Sequence, residues 1–130
     1  MMGRIAVGLL IAFVAMGAES KAQSTYFTSP QPGSNPQLTG GGTVNVSAYT
    51  SQGTPASAKI MIKNKITTKT TTTNATPASD GKGGWTVTNV VCSVPPASGN
   101  PPDSATIEIQ FFDSAGGALG NAIISAGIVK

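Results

Sequence analysis

Few side chains in this chain of 130 residues are of the types that carry out acid–base chemistry. The sequence contains no histidine, which removes the commonest general base and with it the Ser-His and Cys-His pairs. A carboxylate pair for glycoside hydrolysis would have to come from Asp80, Asp103, Glu108 and Asp113. Asp80 and Asp113 stand in turn sequences, where a short side chain commonly accepts hydrogen bonds from its own backbone. We therefore predict that the protein is not an enzyme.

The single cysteine, Cys92, has no partner for a disulfide within the chain. We interpret it either as a small buried apolar side chain beside Val90 and Val91, or as a thiol that reacts or bridges to another chain. Structural zinc needs four ligands, which one cysteine and scattered carboxylates do not supply. We expect neither a metal nor a cofactor.

Binding is the chemistry that the remaining polar and aromatic side chains favour. Four lysines of one strand parity are predicted to form a basic stripe for anionic glycans, or else a solvated face that resists aggregation. These lysines are Lys59, Lys63, Lys65 and Lys69. Tyr49 and Phe112 fall on outward positions, where aromatic rings stack on sugars or pack under a loop or a neighbouring strand. Together these six residues are the predicted ligand surface.

The N-terminal sequence has the pattern of a secretory signal peptide, which we predict for residues 1–22. Arg4 precedes an apolar run from Ile5 to Ala18, and Ser20-Lys21-Ala22 supplies small residues for cleavage. The run is shorter than the ~20 residues that a spanning helix needs. We therefore expect a secreted or cell-envelope protein with no membrane span after signal removal. An uncleaved membrane anchor is the alternative.

The charge that remains after residue 22 is small. Six lysines face four acidic residues, which leaves a net charge of +2. That charge is too weak to indicate nucleic acid or an anionic membrane as the partner. We expect a monomer whose partner is a protein or a glycan at the cell surface.

Alternation of apolar and polar residues predicts several strands. Residues 43–50 and 58–65 show this period, and residues 105–129 are predicted to form a β-hairpin with its turn after Asp113. Trp85 and Val87 are predicted to point inward. The alternation breaks after Val87, which predicts a bulge or a strand end in residues 89–92.

Glycine and proline separate these predicted strands. Four prolines in residues 93–104 predict a long polar crossover, and the Thr-rich run 66–73 predicts an edge strand or an exposed connection. Residues 23–42 are predicted to be a flexible leader rich in Ser, Pro and Gly, in which Tyr26-Phe27 is a candidate first strand. The fold class is all-β, an antiparallel sandwich of about seven strands in residues 43–130.

A cluster of short motifs resembles the bacterial Ig-like domains of secreted and cell-surface proteins. An Asp80-Gly81 loop precedes the Trp85-x-Val87 strand, and a later strand ends in the turn from Asp113 to Gly116. The resemblance covers roughly residues 43–129 and implies an Ig-like β-sandwich with Trp85 in its core. Relatives of that family usually occur as tandem copies, whereas this chain has one copy.

These observations lead to one predicted function and two alternatives. We predict a secreted, non-catalytic binding or structural module of the adhesion or protein-interaction type, at the cell envelope or in the extracellular space. The first alternative is a small carbohydrate-binding domain that uses the six residues of the predicted ligand surface. The second, held lower, is a secreted enzyme or an enzyme inhibitor.

Overall fold

The computed structural model describes residues 24–130, and the predicted signal peptide, 1–22, lies outside the described residues. The described chain is all-β, which confirms the predicted fold class, and it has nine strands rather than about seven. In chain order they are β1 (Thr25–Ser29), β2 (Gln37–Thr39), β3 (Thr43–Thr50), β4 (Ser57–Asn64), β5 (Thr70–Ala75), β6 (Ala78–Ser79), β7 (Trp85–Ser93), β8 (Asp103–Phe112) and β9 (Ala118–Val129).

The strands form two sheets that pack as a β-sandwich. One sheet has the order β1-β3-β7-β6, and the other has the order β2-β9-β8-β4-β5. Neighbouring strands are antiparallel except for β2 and β9, which are parallel. The predicted hairpin of residues 105–129 is confirmed as β8 and β9, and β5 is an edge strand, as the Thr-rich sequence predicted.

The core lies between the sheets and is built from alternate residues of the long strands. Ile60 faces Ile109 across β4 and β8, and Ile62 faces Ile107, with all four side chains fully buried. Phe111 completes this layer, which packs against apolar residues of the other sheet. Those residues are Phe27, Val46, Ala48, Val87 and Cys92. Because the side-chain period of a strand is two, the polar residues between them point to solvent.

The segment in which we predicted a flexible leader contributes to both sheets. Residues 25–29 pair with β3, and residues 37–39 pair with the end of β9. Phe27 and Leu38 are buried in the core, and this burial holds the two short strands at the sheet edges. The sandwich therefore begins before residue 43.

Two details of β7 test the predicted alternation. The register between β3 and β7 shifts after Val46, where Asn89 adopts a φ of 50° and its N–H donates to the Ser47 hydroxyl. This shift confirms the predicted bulge. Trp85, however, is only half-buried at the start of the strand and lies outside the core cluster. The prediction of a core Trp85 is wrong because its inward position falls at the very end of the sheet.

The two ends of the sandwich differ in what closes them. One end carries the loops of residues 80–84 and 113–117, and we call it the Asp-loop end. The other carries the β4–β5 turn of residues 65–69 and the proline-rich crossover of residues 94–102, and we call it the crossover end. Within residues 24–130, no helix is long and apolar enough to cross a membrane.

Candidate functional site

The outer face of the five-stranded sheet gathers half of the predicted ligand surface. Lys59 and Lys63 are exposed on the outward side of β4. The Lys59 ammonium nitrogen lies 5.7 Å from the centre of the half-buried Phe112 ring, a distance at which a cation is attracted to an aromatic face. Phe112 therefore packs under a lysine, and the two present a joint surface.

Polar side chains continue this face across β8 and β9. Lys59, Gln110 and Asn121 stand in one row across three strands. The amides of Gln110 and Asn121 both donate to Oε2 of Glu108, over 3.2 and 3.3 Å. A shallow cavity of about 360 Å³ opens beside this row, lined by Gln110, Ala118, Leu119, Gly120 and Asn121. The face thus presents the Glu108 carboxylate, two amides and the Lys59 ammonium group near a shallow cavity.

Tyr49 lies on the opposite side of the molecule, on the outer face of the four-stranded sheet. Its ring pairs with that of Tyr26, with centroids 5.2 Å apart and planes tilted by 35°. A Cβ on Gly84 would collide with the Tyr49 ring, so the tyrosine packs closely over that glycine. The structure therefore does not bring Tyr49 together with Phe112 and the lysines.

The other two lysines leave the sheet face. Lys65 and Lys69 flank the β4–β5 turn, beyond the last residue of β4. The Lys65 N–H donates to the Ser104 carbonyl over 2.8 Å, and the Asn64 N–H donates to the Lys69 carbonyl over 2.9 Å. The predicted four-lysine stripe is thus two residues on the sheet and two at the tip of a hairpin.

The carboxylates of Asp80 and Asp113 are engaged in two loops of the same design. In each loop Oδ1 accepts the N–H groups two and four residues further on, at 2.7 and 3.0 Å for Asp80 and at 2.9 and 2.7 Å for Asp113. Gly83 and Gly116, three residues after each aspartate, have φ values of 88° and 87°, a conformation that favours glycine. This geometry confirms that both carboxylates bind their own loop backbone.

Asp103 is bound quite differently, at the crossover end. It is a buried charged residue, 2% exposed, whose Oδ2 accepts from the Asn64 amide at 2.8 Å and from the Ser98 N–H at 2.6 Å. The Ser98 hydroxyl donates to its other oxygen. Hydrogen bonds from the Ser98 hydroxyl, the Asn64 amide and the Ser98 N–H hold the pKa of Asp103 below its ordinary value.

Asn64 extends this network into the turn and the crossover. The side chain is fully buried, and its amide donates to the Pro96 carbonyl at 3.1 Å as well as to Asp103. Its oxygen accepts the N–H groups of Ile66 and Thr67 at 2.9 and 3.1 Å. One side chain thus joins β4, the β4–β5 turn, the crossover and β8.

Cys92 is buried among the apolar residues of the core, 1% exposed. Burial raises the pKa of its thiol, and a hydrogen bond with Thr73 only partly offsets this. A thiol with a raised pKa is a poor nucleophile at neutral pH, so the structure favours the first of the two sequence interpretations.

Three residues of the sheet face, Glu108, Gln110 and Asn121, were not among the predicted ligand residues. Their outward parity was visible in the sequence for β8, but the row with Lys59 depends on which strands are neighbours.

Compared with known protein families, characterised proteins and solved structures, the chain shows no match to any of them.

Proposed function

We propose that this protein is a non-catalytic binding module with an Ig-like β-sandwich, acting at the cell envelope or outside the cell. The observation that carries the proposal is the outer face of the five-stranded sheet. There Lys59, Gln110 and Asn121 form a row of polar groups beside a cavity of about 360 Å³. The carboxylates of Asp80, Asp113 and Asp103, by contrast, are committed to loop and core hydrogen bonds.

The order of the strands supports the Ig-like part of the proposal. The sheet β1-β3-β7-β6 matches the A-B-E-D order of an Ig domain, and β9-β8-β4 matches its G-F-C order. The chain adds β2 and β5 at the two edges of the second sheet. The secretory pattern of residues 1–22 supports a location outside the cytoplasm.

A carbohydrate is the second candidate for the ligand, and one feature of the face favours it. Amide and carboxylate groups that bind hydroxyls stand on the same sheet face as Lys59 and its Phe112 ring, and the two amides also line the cavity. Lysine and an aromatic ring together suit an anionic sugar, because one supplies charge and the other an apolar surface. A protein ligand would use the same face through its polar rim.

The test measures binding of the labelled chain from residue 23 to isolated cell envelopes. We expect Lys59→Ala and Gln110→Ala each to weaken binding about tenfold, the loss of roughly 1–1.5 kcal/mol of polar contact. Asn45→Ala, an exposed substitution on the opposite sheet, is the matched control and should leave binding unchanged. Equal effects of all three variants, or none, would contradict the assignment of this face.

Pretreating the envelopes separates the two ligand classes. Protease digestion abolishes binding if the ligand is a protein, and periodate oxidation of sugar diols abolishes it if the ligand is a carbohydrate. Binding that survives both treatments would count against both classes of ligand.

A further inference from the structure

The tip of the β4–β5 hairpin combines one exposed apolar side chain with a group of lysines. Ile66 is 59% exposed at the centre of the turn and is not part of the core cluster. Lys65 precedes it, Lys69 follows it, and Lys63 lies three residues before it on the outer face of β4, all three exposed. We propose that this tip docks the crossover end onto an anionic lipid membrane, with Ile66 entering the interface.

Ile66 differs from Ile123, the other strongly exposed isoleucine in residues 24–130. Ile123 is 57% exposed but lies within β9, where a β-branched residue suits the extended backbone. Ile66 lies in a turn, where glycine, asparagine and other polar residues are the ordinary choice. An isoleucine is therefore not explained by the turn, whereas an exposed apolar side chain suits insertion into lipid.

All the charged side chains of the tip, residues 63–69, are basic. Asp80 and Asp113 lie at the far end in their own loops, and Asp103 is buried. Glu108 lies opposite Met61 on the sheet face, where it is the diagonal neighbour of Lys63 and accepts the amides of Gln110 and Asn121, whereas Lys65 and Lys69 lie beyond the end of β4. Although the net charge of the chain is small, basic side chains are therefore collected at the crossover end, and Asp80 and Asp113 lie at the opposite end.

The tip is also held in shape before it meets a partner. Asn64 fixes the N–H groups of Ile66 and Thr67, and the Lys69 N–H donates to the Thr67 hydroxyl at 3.4 Å. A preorganised loop loses little conformational entropy on binding. An apolar side chain with a basic surround is the combination that binds the surface of an anionic bilayer, through burial of the first and attraction of the second.

The inference is independent of the ligand of the sheet face, and its test uses pure lipid vesicles. The chain from residue 23, which contains both complete sheets, is sedimented with phosphatidylglycerol/phosphatidylcholine vesicles and with phosphatidylcholine alone. We expect binding to the anionic vesicles only, weakening as salt rises. Ile66→Ser should weaken it about tenfold, and Lys63→Gln/Lys65→Gln/Lys69→Gln about a hundredfold, at about fivefold per lysine.

Two matched controls keep this test specific. Ile123→Ser removes an equally exposed isoleucine, and Lys82→Gln removes a lysine from the Asp-loop end; both should bind as the parent chain does. Equal binding to neutral vesicles, no binding at all, or equal loss in Ile66→Ser and Ile123→Ser would overturn the proposal. Binding to heparin, a soluble polyanion, is measured in parallel. If heparin binds tightly and Ile66→Ser leaves vesicle binding unchanged, the tip binds polyanions in general and the membrane proposal is wrong.

Discussion

Both ends of the sandwich use aspartate to accept N–H groups of a nearby loop, but only at the crossover end is that aspartate also bonded to the side chain of a distant strand. At the Asp-loop end, Asp80 and Asp113 bind N–H groups no more than four residues away, in exposed loops. At the crossover end, buried Asp103 binds Asn64, which is 39 residues away. A local bond can open alone, whereas the long-range network holds four segments together. We therefore expect the crossover end to be the more rigid and the costlier to disturb.

The largest effect should come from removing the centre of the long-range network. Asn64→Ala leaves the N–H groups of Ile66 and Thr67 without their side-chain acceptor and removes one of the three hydrogen bonds to the carboxylate of Asp103. Since an unsatisfied buried group costs about 1–3 kcal/mol, we expect the free energy of unfolding to fall by roughly 2–4 kcal/mol in urea titrations. Asn74→Ala, on the exposed side of β5, is the control and should stay within roughly 0.5 kcal/mol. Similar losses in both variants would remove the distinction between the two ends.

The second effect concerns pH and the carboxylate of Asp103. Its pKa is lowered in the folded state, so the ionised group stabilises the fold at a pH above its unfolded pKa, about 3.9. That stabilisation is lost as the pH falls through the folded pKa. Asp103→Asn should therefore be less stable than the parent at pH 7, and the gap should narrow towards pH 2.5. Urea midpoints measured across this range that run parallel for the two proteins would contradict the assignment.

A smaller effect should appear twice, and equally, at the Asp-loop end. Gly83 and Gly116 occupy corresponding positions with nearly the same φ, and a Cβ on either would meet open space. Gly83→Ala and Gly116→Ala should each cost about 1 kcal/mol, because only the backbone conformation is strained. Because each aspartate binds only its own loop, we expect the double variant to show the sum of the two losses in thermal unfolding. A marked inequality would mean that the loops are not equivalent.

Local patterns in the sequence predicted much of the fold. The alternation in residues 105–112 correctly placed Ile107, Ile109 and Phe111 inward, and the break after Val87 correctly predicted a bulge. These features depend on the period of a strand and on a few adjacent residues. The aspartate loops were also predictable, since each aspartate is followed by glycines three and four residues later.

Features that depend on which strands are neighbours could not be predicted from the sequence. Tyr49 and Phe112 both have outward parity, yet they lie on different sheets. Parity alone therefore grouped them in one predicted ligand surface, although the fold places them on opposite sides. The pairing of β2 with β9 brings together residues about 90 positions apart, and no local pattern signals it. The bond between Asn64 and Asp103 is of the same kind. The predicted burial of Trp85 was wrong for a related reason. Its inward direction followed correctly from the alternation, but the sequence did not show that it stands at the end of the sheet.

Amide hydrogen exchange tests the contrast between the two ends most directly, because it reports each N–H group in the unmodified protein. The N–H groups of Ile66, Thr67 and Ser98 are held by buried side chains, and those of Lys82 and Ala115 by the exposed Asp80 and the half-buried Asp113. We predict that the first three exchange at least about a hundredfold more slowly, because they open only with the whole network. Equal exchange rates at the two ends would contradict the claim that a long-range hydrogen-bond network holds the crossover end.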